Sequence, residues 1–279
     1  MAYPSIDPRT GDKIPADFIV PQHPEHYTAQ DHATWQTLFH RQSKLLKGRM
    51  VDEYFDGLAA LGITLDDIPD FRAINAVLSK ATGWQVVAVP GLVPDEVFFA
   101  HLAARRFPAG YWIRNPDHLD YIEEPDVFHD VFGHVPMLMQ PRYADYMAAY
   151  GRAGLAYAGQ PALKNLARLY WYTVEFGLMR TKAGLRIFGA GIASSAGESV
   201  YCLDSAQPLR VAFDTDRVMR TNYIIDHFQD IYFVLSGYDD LPELSPEQLT
   251  AHVATAQRES ELAPKQTLPG ETLIPSAGS

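Results

Sequence analysis

The chain has 279 residues, 47% of them hydrophobic and 20% charged, a composition that supports a buried core and excludes the disordered and collagen-like classes. Acidic residues outnumber basic ones 34 to 23, for a net charge of -11, and no block of Lys and Arg interrupts that excess, which argues against nucleic acid as a partner. Cys202 is the one cysteine, no leader-like apolar run opens the chain, and no segment approaches the ~18 continuous apolar residues of a membrane span; a cytoplasmic protein without membrane contact is expected.

Pro4, Pro8, Gly11 and Pro15 make residues 1–20 read as an N-terminal arm laid on the surface, and residues 261–279 (ELAPKQTLPGETLIPSAGS) read as a disordered C-terminal tail. Between them, residues 21–260 carry no internal repeat and are expected to form one domain. The spacing of Trp35, Leu38, Phe39, Gln42, Leu45 and Leu46 predicts a helix over 29–47, followed by helices over 50–61, 70–81 and 94–106. Short β-like runs are predicted at 84–89 (WQVVAV) and 111–114 (YWIR), each closed by turn residues. Later helices are predicted over 126–132, 141–158, 161–182, 216–236 and 245–258, the last with Ser245 as its N-cap. The expected fold class is mainly α with a few short β-strands.

The segment Asp126-Val-Phe-His129-Asp130-Val-Phe-Gly133-His134-Val-Pro136 places two histidines five residues apart. On a continuous α-helix they would stand about 140° from each other, too far round to face one ion. If Gly133 ends the helix, and Pro136 forbids continuation, His129 projects from the last turn while His134 swings in from the exit loop. The pair alone reads more readily as a capping histidine beside a core histidine.

In the helix expected from Pro161, residues Leu163, Leu166, Ala167, Tyr170, Trp171, Val174 and Leu178 mark the apolar face, and Glu175 lies on it. A carboxylate facing a core is protonated, paired with a cation such as Arg168 or Arg180, or bound to a metal. Two neutral imidazoles and one carboxylate form the facial triad that leaves open positions on Fe(II), and the same set serves catalytic zinc. Spacing does not choose between the two ions, although the zinc-protease signature HExxH is absent.

Three runs, in this order, resemble the pterin-dependent aromatic amino acid hydroxylases, their bacterial members above all: Tyr121-Ile-Glu-Glu-Pro-Asp-Val-Phe-His-Asp-Val-Phe-Gly-His-Val-Pro136, Trp171-Tyr-Thr-Val-Glu175-Phe-Gly, and Gly189-Ala-Gly-Ile-Ala-Ser-Ser-Ala-Gly-Glu198. The resemblance spans roughly Pro21 to Asp240 and implies that family's single-domain catalytic fold, a mostly helical basket with little sheet. It implies His129, His134 and Glu175 as the iron ligands and catalytic centre. Arg114 would hold the amino acid's carboxylate through a bidentate fork, with Trp171 and Phe176 around its side chain and Ser194 near ligands and substrate. Val89, Gly91 and Leu92 of the VPGLV loop, with Phe98, would meet the pterin. Asp130 and Glu198 would stand behind the histidines. Read alone, Gly189-Ala-Gly-Ile-Ala-Ser looks like a dinucleotide loop, but it lacks the βαβ context and the acidic residue that such a loop requires. The chain departs from animal members at Ile122-Glu123 and at Asp130. It leaves no room for an N-terminal regulatory domain or a C-terminal coiled coil, so a monomer without regulation through such a domain is expected.

The reaction implied is hydroxylation of L-phenylalanine to L-tyrosine by dioxygen, with Fe(II) at the triad and a tetrahydropterin (tetrahydrobiopterin or a relative) supplying two electrons. That places the chain in phenylalanine catabolism. Two other readings use the same ligands. A zinc-dependent hydrolase would activate a water and work without air. A non-catalytic, metal-stabilised binding protein would form no product at all.

Overall fold

The structure, a computed structural model, describes residues 3–120 and 124–276. The helical periods of the N-terminal half become α1 (Ala29–Leu46), α2 (Asp52–Ala60), α3 (Phe71–Ala81) and α4 (Asp95–Ala103). Thr28 and Asp31 cap α1 reciprocally, and Asp70 caps α3 by accepting from the Arg72 N–H at 2.8 Å, which settles the orphan donors of each first turn. Trp35, Leu38 and Leu46 are fully buried, as their stripe predicts.

Strands β1 (Gln85–Val89) and β2 (Arg106–Gly110) pair in parallel, with Val89 opposite Gly110 and α4 as the crossover. The strand expected at 111–114 is absent; β2 lies just before it, where a helix reaching Arg106 was expected. RFPAG looks unlike a strand because of Pro108, but both strands of a two-stranded sheet are edges, and edges tolerate proline.

Residues Phe128–His134 wind as a π-helix that runs into a 3-10 turn, Val135–Met139, and then α5 (Pro141–Tyr157), which is buried along most of its length. The helix expected over 161–182 divides into α6 (Leu163–Tyr170), a second π-helix (Trp171–Glu175) and, past Gly177, strand β3 (Leu178–Thr181), which turns back as β4 (Gly184–Ile187). There follow α7 (Ala190–Ser194), α8 (Ala196–Asp204), β5 (Leu209–Ala212), α9 (Thr215–Arg220), β6 (Ile231–Leu235) and α10 (Pro246–Arg258), the last capped by Ser245 as expected. The helix expected over 216–236 is therefore only α9. Residues IYFVL are wholly buried as β6, an inner strand of a sheet ordered β4-β3-β6-β5; a short run that is apolar throughout carries no period by which to tell strand from helix.

Both ends are tied down. In the arm, Asp7 and Ile14 are buried, and the Val20 N–H donates to the Ala88 carbonyl at 3.0 Å. Residues 261–276 correct the expectation of a disordered tail. Leu262 is buried and exchanges backbone bonds with Arg220 and Asn222, while the Ala212 N–H donates to Thr272 at 3.0 Å and the Ile274 N–H to Arg210 at 2.8 Å. Glu271 meets Arg217, a buried guanidinium that needs a carboxylate, at 2.5 Å. The polar composition of the segment conceals these few anchors. Among the described residues no helix is long and apolar enough to cross a membrane.

Candidate active site

His129 and His134 both lie on the first π-helix. The wider winding of i to i+5 bonding turns residues five apart well back towards each other, so both imidazoles leave from one side without the chain break expected at Gly133. Gly133 lies inside the winding, and its contribution is space. A Cβ there would stand 3.0 Å from the Ala190 carbonyl oxygen, so glycine lets α7 close on the helix. An aromatic stack supports the other side: Phe128 lies on Phe132 at 4.6 Å, Trp35 meets Phe128 edge-on at 5.5 Å, and the Tyr54 hydroxyl donates to the Phe132 carbonyl at 2.7 Å.

Glu175 ends the second π-helix and faces neither arginine expected as an alternative partner. Arg168 is engaged by Glu261 at 3.0 Å, and Arg180 is exposed on β3. The Glu175 carboxylate lies instead 3.2 Å from His134 Nε2 and 3.8 Å from His129 Nε2, and the two Nε2 atoms are 3.3 Å apart. Three donors on one face of an octahedral ion, with bonds of about 2.1 Å, stand about 3 Å from one another, so the cluster has the dimensions of a facial metal site. A Cβ on Gly189 would come 2.4 Å from the Glu175 carbonyl oxygen. The glycines that resemble a dinucleotide loop thus serve to seat α7 against the carboxylate, and the Gly191 N–H helps hold that carboxylate ionised.

The supporting hydrogen bonds fix a ligand tautomer. Ser194 Oγ donates to the Ala190 carbonyl at 3.0 Å, so at 2.8 Å from His129 Nδ1 it accepts, which puts the proton on Nδ1 and leaves the Nε2 lone pair facing the cluster. Burial pushes the His129 imidazole down to about 4, which keeps it neutral. Burial also opposes charge on His134, but the Glu175 carboxylate beside it outweighs that and raises its pKa. Glu175, against the burial that would raise it, is held low by His134 and His129. The three groups together call for positive charge at their meeting point.

Two cavities meet at these donors. One, of about 240 Å³, is lined by Val89, Gly91, Leu92, Phe98 and Tyr170 with all three donor residues. The other, of about 430 Å³, is lined by Arg114, Trp171, Phe176, Ser194, His129 and Glu175, among others. The residues expected around a pterin and those expected around an amino acid therefore fall into separate cavities that share His129 and Glu175. A wider surface hollow of about 790 Å³ at Asn115–Asp120 touches none of the three donors.

Arg114 does not present a free fork. Its Nε and Nη2 donate to the buried Asp126 carboxylate at 2.7 and 2.8 Å, and Nη1 donates to the Leu119 carbonyl at 3.1 Å. Only the outer edge, between Nη1 and Nη2, has donors to spare. Asp126 also accepts from the His129 N–H at 2.9 Å and so joins the arginine to the first π-helix. Sequence reasoning missed this residue, although an aspartate ahead of a helical segment is a capping signal. Glu198 corrects an expectation: it contacts neither histidine. The extended backbone of Ser195 turns α8 away, and Glu198 accepts from the Tyr232 hydroxyl and the Gln229 N–H instead. Gln229, also missed, accepts from the Trp171 indole at 2.9 Å, and Trp171 stacks on Tyr223 at 4.4 Å. Asp130 makes no hydrogen bond to His134 but is near enough for their charges to influence each other; its Oδ2 accepts from the Gly110 N–H at 2.7 Å, and burial pushes its carboxyl up to about 7. Tyr121, Ile122 and Glu123 of the first motif lie outside the described residues.

The family described as biopterin-dependent aromatic amino acid hydroxylase matches residues 8–263 of this chain. The phenylalanine-4-hydroxylase of Ralstonia nicotianae is 58% identical over 241 residues, covering 85% of this chain and 77% of that one. Among solved structures, the iron- and phenylalanine-bound phenylalanine hydroxylase of Chromobacterium violaceum is 50% identical with a TM-score of 0.87, covering 93% of this chain and 94% of that one. The same enzyme with iron(III) and oxidised 7,8-dihydrobiopterin is 50% identical with a TM-score of 0.89, covering 98% and 100%.

Proposed function

This chain belongs to the biopterin-dependent aromatic amino acid hydroxylase family, and we propose that it is a phenylalanine 4-monooxygenase, converting L-phenylalanine and dioxygen to L-tyrosine at a non-haem Fe(II) with a tetrahydropterin as the reductant. The observation that carries this reading is that two cavities share one His/His/Glu donor cluster. Two organic reactants that must meet at one ion need such an arrangement; a hydrolase acting through one bound water needs a single cavity.

His129, His134 and Glu175 would hold the iron, within reach of both cavities. When bound, iron and pterin supply dioxygen activation and two electrons; the side chains bind, orient and exclude water. Ser194 keeps His129 in the tautomer that ligates through Nε2. The outer edge of Arg114 takes the amino acid's carboxylate while Asp126 fixes its inner edge, so the guanidinium cannot rotate to follow a misplaced substrate. Trp171 and Phe176, 4.7 Å apart, wall the ring, and the Gln229 bond sets the indole plane. Val89, Gly91 and Leu92 offer backbone groups to the edge of the pterin, and Phe98 a ring to its face. A reducing, cytoplasmic setting is in keeping with its lone buried thiol, Cys202.

The test is product analysis after incubation with phenylalanine, a tetrahydropterin and either Fe(II) or Zn(II), in air and under nitrogen. Tyrosine is expected only with Fe(II), pterin and air together, and Glu175→Ala is expected to abolish it and to weaken iron binding. Turnover under nitrogen, or a Glu175→Ala protein with normal iron affinity and activity, would overturn the reading.

A further inference from the structure

The N-terminal arm folds on itself before it meets the body. Ile6 bridges Lys13, the Asp7 N–H donates to the Asp12 carbonyl at 2.8 Å, and Gly11 closes the turn with φ at 78°, a region glycine enters freely. Two side chains of this loop reach the ends of two different strands. Asp7, only 1% exposed, accepts from the Tyr111 hydroxyl at 2.8 Å and from the Arg9 N–H at 2.9 Å. Tyr111 directly follows Gly110, the last residue of β2. Arg9 donates from Nη1 to the Pro90 carbonyl at 2.9 Å, just past the end of β1, and its guanidinium lies 4.7 Å over the Trp112 ring.

Because Val89 pairs with Gly110, the arm straps together the ends of two neighbouring strands at the point where each enters its loop. Pro90 sits between Val89 and Gly91, both of which line the smaller cavity. The loop from Pro90 to Val93 has no hydrogen-bonded regular structure of its own, and Leu92 within it is 51% exposed. A loop left to order itself on ligand binding subtracts that entropy from affinity, whereas one pinned beforehand does not. A buried carboxylate on a surface arm is also costly unless its contacts are kept, which makes the strap a persistent contact.

We propose that Asp7 and Arg9 are positioning residues for the pterin: they hold the loop after β1 against the end of β2 and so pre-set the backbone groups that meet the cofactor. This rests on the assignment of the smaller cavity to the pterin. Calorimetric titration of the Fe(II)-loaded protein with 7,8-dihydrobiopterin measures affinity without turnover, and steady-state kinetics with a tetrahydropterin complements it. Arg9→Ala is expected to weaken the Kd about fivefold, the net worth of about one ordinary hydrogen bond felt through the loop, and to raise the pterin KM in step. Its KM for phenylalanine and its melting temperature stay put, and Arg9→Lys, which can still donate to Pro90, remains within about twofold of the unsubstituted protein. Tyr111→Phe, which strips Asp7 of its hydroxyl donor, weakens pterin binding likewise. Unchanged pterin affinity in both Arg9→Ala and Tyr111→Phe overturns the proposal, as does an equal loss of phenylalanine affinity or stability, which would make the arm merely structural. If the unsubstituted protein neither binds nor requires a pterin, the cavity assignment has failed and takes this proposal with it.

Discussion

On the proposed function, Arg114 has two duties on two edges of one guanidinium. Its inner edge neutralises Asp126, which is wholly buried and also accepts from the His129 N–H. Truncating the arginine therefore strands a buried carboxylate, at a cost of about 3–5 kcal/mol, and loosens the start of the helix that bears both histidines. We expect Arg114→Ala to lose stability, iron content and phenylalanine affinity together, which would say little about substrate binding. Arg114→Lys is the informative variant, because it keeps a cation on Asp126 but gives up the planar fork. For it we expect a rise of about tenfold or more in the KM for phenylalanine, the size of a lost charge-assisted contact, with iron content held near one per chain. Kinetics with parallel metal analysis checks this, and a normal KM would remove Arg114 from the substrate site. The same economy applies at Ser194, where one hydroxyl fixes the tautomer of a ligand that burial already keeps neutral.

The chemistry depends on two short elements wound more widely than an α-helix. The sequence displays His129, His134 and Glu175 openly, and the apolar stripe of α1 and the Ser245 cap of α10 are legible for the same reason: side-chain period and capping are local properties. The π-winding is not local. It depends on the stack of Phe128 on Phe132 behind the helix and on the pressure of α7 in front, so an α-helical projection wrongly set the two histidines about 140° apart. Strands β2 and β6 were hidden likewise, one behind a proline and the other within an unbroken apolar run, since pairing partners distant in sequence decide both. Asp126 and Gln229 went unseen because their value lies in what they hold, Arg114 and Trp171, and not in any motif of their own. The π-helix makes its own prediction at Gly133. A methyl group there meets Ala190 backbone at 3.0 Å, so either α7 or the helix must give way. Gly133→Ala is expected to cost about 1–3 kcal/mol of stability, as overpacking does, and to weaken iron binding measurably, since α7 carries Ser194 and presses on Glu175. Thermal unfolding with and without iron reads both, and a variant identical to the parent in each would show that the close approach is dispensable.

At the scale of the whole molecule, the two ends of the chain support different cavities. The arm reaches the smaller one through Pro90 and Tyr111, while the last described residues support the larger one from the far side of its wall. Leu262 exchanges backbone hydrogen bonds with Arg220 and Asn222, next in sequence to Tyr223, on which Trp171 stacks at 4.4 Å. Glu261 reaches Lys164 and Arg168, which lower its carboxyl to about 2 by hydrogen bonds and charge. A depressed carboxyl pKa means that this contribution is present above the unfolded value near 4.5 and fades as pH falls towards about 2; the exposure of the Lys164 pair keeps it small. Arg217, 4% exposed and met by Glu271, matters more, because removing the acid leaves a buried cation short of a partner. A chain ended after Glu259 is therefore expected to lose about 3 kcal/mol at neutral pH, a fall in melting temperature of roughly 6–12 °C. Its KM for phenylalanine should rise with the freed Trp171 wall while its pterin affinity holds, the reverse of the pattern expected for Arg9→Ala. Calorimetric melting and paired kinetics decide the matter: a truncated protein that melts with the parent, or loses pterin affinity instead, would mean that the two ends do not divide the site between them.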